Sequence, residues 1–387
     1  MVKLRGADSL AGVAADYALD PNPIDQFGSR PIYRLRILDG VSPRDKAEAL
    51  VADPLLRVVY AEPNFSTHAP EGQGRVLWAG GGSAGDYVAQ WAASIIRLPD
   101  AHAVTGGFGV TVAVLDTGVD MTHPALSGRL ARGFDFVDLD SDPSEVGVYG
   151  TNPLFGHGTH VAGLINLAAP DAMIMPVRVL NADGVGDEWA LAEALAWAID
   201  PDGDPNTDDG ASVINLSMST LEASSLIRDV LKAVTCSDPT HSSADDLPCF
   251  LTDARGAVVV AAAGNSSSSK PEYPAGDRIG GELAVGASTQ NDTIATFSNY
   301  GSWVSLAAPG EGILSTVPGG GYGTWSGTSM ATPLVAGTAA LVRATSPTLS
   351  TPKVAQRIIS KAADIDGAIR YRLDAASALS SSRGTRR

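Results

Sequence analysis

The chain has 387 residues, of which 44% are hydrophobic and 18% charged, and a formal net charge of −16. That length accommodates one large domain with a substantial core and a small accessory one. The acid concentrated at 135–145 and 200–209 would repel a phosphate backbone and argues against nucleic acid as a partner, while the longest apolar runs, 257–263 and 334–342, fall short of the roughly 20 residues a membrane span needs.

Residues 1–8 carry charge with no apolar stretch behind it, so no secretory signal is expected there; the chain acts where it is made, or a leader precedes it. Strands at 33–37 and 56–61 around a helix at 43–52 predict a small βαβ-rich, α+β module over residues 1–68. Residues 69–88, with Gly72, Gly74 and the run Gly80-Gly81-Gly82, have the composition of a flexible linker. From 89 to 380, strands are expected at 111–115, 173–179, 213–216, 257–262, 282–285 and 304–307. Helices are expected at 157–168, 188–199, 221–235, 329–344 and 351–363, and 381–387 reads as a polar tail. Near-continuous apolar strands alternating with helices predict an α/β, three-layer fold with a mainly parallel central sheet.

Three motifs stand at element boundaries. Asp116-Thr117-Gly118 ends a strand, His157-Gly158-Thr159-His160 opens a helix, and Gly327-Thr328-Ser329-Met330-Ala331-Thr332-Pro333 opens another. Strand ends and helix starts of an open α/β sheet face one crevice, so the three can converge. The order Asp, His, Ser, with no Gly-x-Ser-x-Gly, differs from that of hydrolases built on a nucleophile elbow. Together the motifs resemble those of the subtilisin-like serine proteases, over residues 90–378.

The resemblance implies Ser329 as nucleophile, His157 as general base and Asp116 as the group that fixes the imidazole tautomer. Asn265, in Ala261-Ala262-Ala263-Gly264-Asn265, matches the oxyanion-hole asparagine of the family. His160 is expected to pack beside His157, and Leu334 replaces a histidine of the family's serine helix. The resemblance also implies a peptide-binding wall at Ser217, Met218 and Ser219, with Ala263 and Gly264 opposite. Glu272, just before Tyr273-Pro274, falls at the pocket floor and would favour Arg or Lys at the cleaved position; Lys270 or Arg278 could instead neutralise it.

No cofactor is expected for catalysis. One calcium site of the family has Ala125 where an Asp is usual, and the loop over 163–170 is short, so that site is not expected. Asp200, Asp202, Asp204, Asn206 and Asp208 around Gly203 are either a structural calcium loop or a solvated acidic loop. Cys236 and Cys249 flank a polar insert and are either a disulfide, which would place the protein outside the cell, or two free thiols.

The N-terminal module resembles inhibitory propeptides of the I9 type that assist folding, fill the cleft and are cut off, here between about 66 and 88. A permanently attached accessory domain is the alternative. The expected partners are polypeptide substrates and the chain's own N-terminal module, in a monomer. An inert peptide-binding scaffold and an esterase are the competing readings.

Overall fold

In the computed structural model, residues 1–73, 78–237, 245–251 and 256–380 are described. A nine-stranded sheet runs in the order Ala363–Asp364, Tyr371–Arg372, Leu306–Pro309, Glu282–Ser288, Val258–Ala262, Val213–Leu216, Thr111–Asp116, Met173–Arg178 and Phe134–Asp135. Every neighbouring pair is parallel except the first. The inner strands are Val, Ile and Ala runs buried on both faces, as helices on either side require. Helix Thr328–Thr345 is small and apolar all round, and residues 328–343 are buried throughout.

Register brings the chemistry to one rim. Leu216 lies opposite both Leu115 and Ala261, and Asp116 lies opposite Arg178, so the segments ending in Asp116, Ser217 and Ala263 leave the sheet side by side. Helices His157–Ala168 and Glu188–Ile199 have the expected bounds. The helix expected from 221 starts at Ser225 because Ser224 caps it, its Oγ accepting from Ile227 N. The hairpin Ile313–Val317 and Gly321–Trp325 was not expected.

Residues 2–61 form a separate sheet in the order Asp25–Gln26, Ile32–Arg34, Val2–Leu4, Val58–Ala61, over their own small core. Its pairings are all antiparallel, because Val2–Leu4 slots between the strands on either side of helix Pro43–Val51. The α+β class holds, and the expected βαβ unit is present in split form: Ile32–Arg34 and Val58–Ala61, joined by the helix, run parallel to each other with Val2–Leu4 antiparallel between them. Glu62 fastens this module to the larger one: it accepts from Ser224 Oγ at 2.9 Å, Ser225 N at 2.8 Å and Leu226 N at 2.9 Å, a carboxylate at the positive end of helix Ser225–Thr235. Lys3 reaches Asp229 at 2.6 Å beside it.

The segment 69–88 is not a loose linker where it is described. Ala79–Gly80 pairs with Gly321–Trp325, Trp78 Nε1 donates to Phe155 O at 3.0 Å, and Ser83 and Asp86 form a capping box on helix Ala84–Ala89. Its glycines serve close approach: at Gly82, φ is 95° and an added methyl would lie 2.8 Å from a Leu314 methyl. Cys236 and Cys249 are disulfide-bonded, with Cα atoms 5.1 Å apart. The tail at 381–387 lies outside the described residues.

Candidate active site

Asp116 ends its strand fully buried. Its Oδ1 accepts from Thr117 N at 2.8 Å and from His157 Nδ1 at 2.7 Å, which fixes the proton on that nitrogen. The loop carrying Asp116 is clasped to the helix carrying His157 through Glu145, which accepts from Thr117 Oγ1 at 2.7 Å and from Thr159 Oγ1 at 2.8 Å. Trp325 stands edge-on to His157, with ring centres 5.4 Å apart.

Ser329 is the second residue of helix Thr328–Thr345. Pro333, four residues on, has no N–H to give the Ser329 carbonyl. Ser217 Oγ donates to that carbonyl instead, at 3.1 Å, and ties the serine to the substrate wall. The motif's proline thus frees an acceptor that fixes Ser217 beside Ser329. Asn265 is oriented by its own carbonyl, whose Oδ1 accepts from Thr328 N and Thr328 Oγ1, both at 2.9 Å. Its amide nitrogen is thereby left free to donate to the group that Ser329 Oγ also meets.

All three groups meet on a residue that composition placed in a linker. Glu71 Oε2 accepts from Ser329 Oγ at 2.7 Å and from His157 Nε2 at 3.1 Å, and Glu71 Oε1 accepts from Asn265 Nδ2 at 2.9 Å. The Glu71 side chain is 1% exposed. Among the described residues Ser329 and His157 make no direct hydrogen bond. Nothing in the sequence around Glu71 signals this, since its partners lie 86 to 258 residues away.

Burial opposes ionisation of Glu71, but the hydrogen bond and charge of His157, then the hydrogen bonds from Ser329 and Asn265, hold it below the usual glutamate range. Burial alone would lower His157, yet Asp116 and Glu71 together raise it from 6.5 to about 10. His160, its other titratable neighbour, is pushed down to about 3 by burial and by the charge of His157; its Nε2 donates to Ile313 O and Gly323 O, a packing role as expected. The sign follows. A raised histidine stabilises the fold below 6.5 and loses that contribution as pH rises through about 10, while the depressed glutamate loses its contribution as pH falls through its folded pKa. An uncut Ser329→Ala chain with ¹⁵N-labelled histidine is expected to keep an imidazolium at His157 through neutral pH. Titration of His157 near 6.5 would contradict this.

The wall residues divide. Ser219 lines the pocket beside Glu272, whereas Ser217 and Met218 are both fully buried just past strand Val213–Leu216, Ser217 on the Ser329 carbonyl and Met218 in the hydrophobic core. His68 N donates to Ser219 O at 2.9 Å and Ser219 N to His68 O at 2.8 Å, while Ser66–His68 pairs antiparallel with Val185–Asp187. The chain's own segment is thus strand-added into the cleft. Gly264 N donates to Thr328 Oγ1, and Ala263 O accepts from Asn299. Glu272, 3% exposed, accepts from Ser219 Oγ at 2.7 Å, Ser266 Oγ at 2.8 Å and Asn299 Nδ2 at 2.8 Å. Among the described residues neither Lys270 nor Arg278 forms an ion pair with it.

The acidic loop groups differently from expectation. Carboxylate oxygens of Asp200, Asp202 and Asp209 lie within 4.8 Å of one another. Asp204 instead accepts from Asn206, and Asp208 is not in the group, because the chain turns at Asp204 and Thr207 rather than alternating through to Asp208.

The chain is similar to known proteins over most of its length. The profile of the Subtilase family matches residues 107–382. A thermophilic serine proteinase of Bacillus sp. strain AK1 is 38% identical over 306 residues, covering 76% of this chain and 65% of that protein. Thermitase of Thermoactinomyces vulgaris is 37% identical over 65% of this chain and 81% of its own length. An alkaline protease of Alkalihalobacillus alcalophilus is 31% identical over 94% and 82%. Among solved structures, a cold-adapted subtilisin-like serine proteinase has a TM-score of 0.57 and 33% identity, over 70% of this chain and 90% of that one. A protease of Pseudoalteromonas arctica has 0.63 and 29%, over 76% and 97%.

Proposed function

The chain belongs to the subtilase family, a family of serine endopeptidases, and from that membership we propose that it hydrolyses peptide bonds through Asp116, His157 and Ser329. The observation that carries this reading is the convergence of Ser329 Oγ, His157 Nε2 and the Asn265 amide on one carboxylate. In turnover, with Glu71 withdrawn, His157 takes the hydroxyl proton as Ser329 attacks the peptide carbonyl, and returns it to the leaving amine. Asp116 holds the imidazole by Nδ1 and stabilises its charged form. The Asn265 amide binds the oxygen that becomes negative in the tetrahedral intermediate.

Substrates are extended polypeptides laid between Val185–Asp187 and Ser219, supported by the way Ser66–His68 already lies there. The N-terminal module acts as intramolecular inhibitor and folding aid and is removed by self-cleavage beyond residue 66. Its four-stranded sheet and the Glu62 cap on helix Ser225–Thr235 support that role. The disulfide supports an extracellular setting, and no described helix is long and apolar enough to cross a membrane. A structural calcium is proposed at Asp200, Asp202 and Asp209, whose donor set of hard oxygens suits that ion. The test is casein hydrolysis and intact mass of the full chain under oxidising conditions, with and without chelator. Hydrolysis with loss of about 70 residues is expected, and a full-length, inert chain would overturn the reading. A melting temperature indifferent to chelation would remove the calcium.

Glu272 sets the preference at the cleaved position. Its carboxyl group is buried and, among the described residues, pairs with no lysine or arginine, so an arginine or lysine side chain entering the pocket would supply that partner. Glu272→Ala is expected to lower kcat/KM for Arg-ending peptides by about 10- to 100-fold, the range of a charge-assisted hydrogen bond, and to leave Phe-ending peptides little changed. A wild-type preference for Phe would remove the assignment.

A further inference from the structure

We infer that Glu71 is the group that silences the uncut chain: its side-chain carboxylate occupies the seat of the reaction's oxyanion, so the intact active site holds an anion that imitates its own transition state instead of a scissile bond. This rests on the proteolytic reading above.

The backbone around Glu71 separates a substrate from an inhibitor. Up to Ala69 the segment is extended and paired, with Ala69 N donating to Gly184 O at 3.0 Å. It then leaves that path. Pro70–Gln73 is a helical turn, and the Ala69 carbonyl accepts from Gly72 N at 3.0 Å. The turn draws the main chain out of the strand-like path a substrate would follow and delivers a side chain to the catalytic groups.

The chemistry of the seat selects an anion. Its two oxygens accept from three donors, one each on Ser329, His157 and Asn265. During turnover these are the group that binds the developing negative oxygen, the imidazole that becomes an imidazolium and the hydroxyl that attacks. A neutral glutamine of the same shape would turn an NH₂ toward one side and leave a donor facing a donor. Space is matched as closely as charge. A methyl group at Gly327 would overlap Glu71 Oε1, so only a residue without a side chain leaves room for the carboxylate. The carboxylate is also held from both sides of the chain. Ser66–His68 anchors it upstream, and Trp78 with Ala79–Gly80 anchors it downstream, so its local concentration at Ser329 is that of a short tether.

The test compares full-length wild type, Glu71→Gln and Glu71→Ala for the initial rate at which a fluorophosphonate labels Ser329. Labelling is scored by intact mass on the uncut species alone, with Ser329→Ala as the blank. Both Glu71 variants are expected to label at least about tenfold faster than wild type, the minimum loss for removing a charge-assisted contact. Equal rates would overturn the proposal. Glu71→Gln conserves volume, and a second readout guards against a misfolded Glu71→Ala: in the uncut Ser329→Ala background, Glu71→Gln is expected to return His157 toward an ordinary histidine titration. A His157 titration that Glu71→Gln leaves unmoved also overturns it. If neither uncut nor self-processed protein labels in any form, the proteolytic reading falls, and this one with it. If the forms label alike, only this one falls.

Discussion

Ser329→Ala is expected to reduce peptide-bond hydrolysis by about six orders of magnitude, the loss the equivalent replacement causes in subtilisin, and to leave the chain uncut and folded. No neighbour can take over the attack: Ser217 Oγ is spent on the Ser329 carbonyl, and Thr328 Oγ1 is spent on Asn265. What the alanine loses structurally is small. The hydroxyl's partners in the intact chain are Glu71 and, at 3.4 Å, Ser217 O, and the helix around it is held by its buried face. Hydrolysis of a chromogenic peptide, intact mass and a thermal melt together check this. Residual turnover within a hundredfold of wild type would mean that another residue carries the attack.

The second large effect is expected at Asn265. Asn265→Ala removes the amide donor from the oxyanion seat and should lower kcat by about 10²- to 10³-fold with KM within a few-fold, the magnitude known for that donor in subtilisin. The split between kcat and KM follows from timing, because the oxygen becomes negative only as the serine attacks, and the bound substrate gains little from the amide. Asn265 also accepts from Thr328 N and Thr328 Oγ1, so a purely structural failure would loosen the first turn of the serine helix. That outcome would move KM and the melting temperature together. A fall in kcat alone identifies the oxyanion role.

Much of this site is legible in the sequence because each motif carries its own local reason. His157-Gly158-Thr159-His160 opens a helix, Asp116 closes a run of β-branched residues, and Pro333 sits where one carbonyl must be freed for Ser217. The wall is legible only in part. Reading 217–219 as one surface includes Ser217 and Met218, both fully buried, and of the three Ser219 lines the pocket. The acidic loop is legible as composition and not as geometry, because its turn exchanges Asp204 and Asp208 for Asp209. The short edges of the fold, Val2–Leu4, Ala79–Gly80 and the hairpin at Gly321–Trp325, have too few side chains for periodicity to speak. Glu71 lies at the far end of that scale. It stands between Pro70 and Gly72, and every contact that gives it meaning comes from another element.

The strap that carries Glu71 is fastened at two places, at Ser66–His68 before it and at Trp78 after it. A cut on either side therefore leaves the residue moored by the other end. On the proposed self-cleavage, chain scission and the onset of activity are then expected to be separate events in time. A gel that shows a fully nicked protein reports the first and not the second, and the interval between them is the dwell time of a moored fragment.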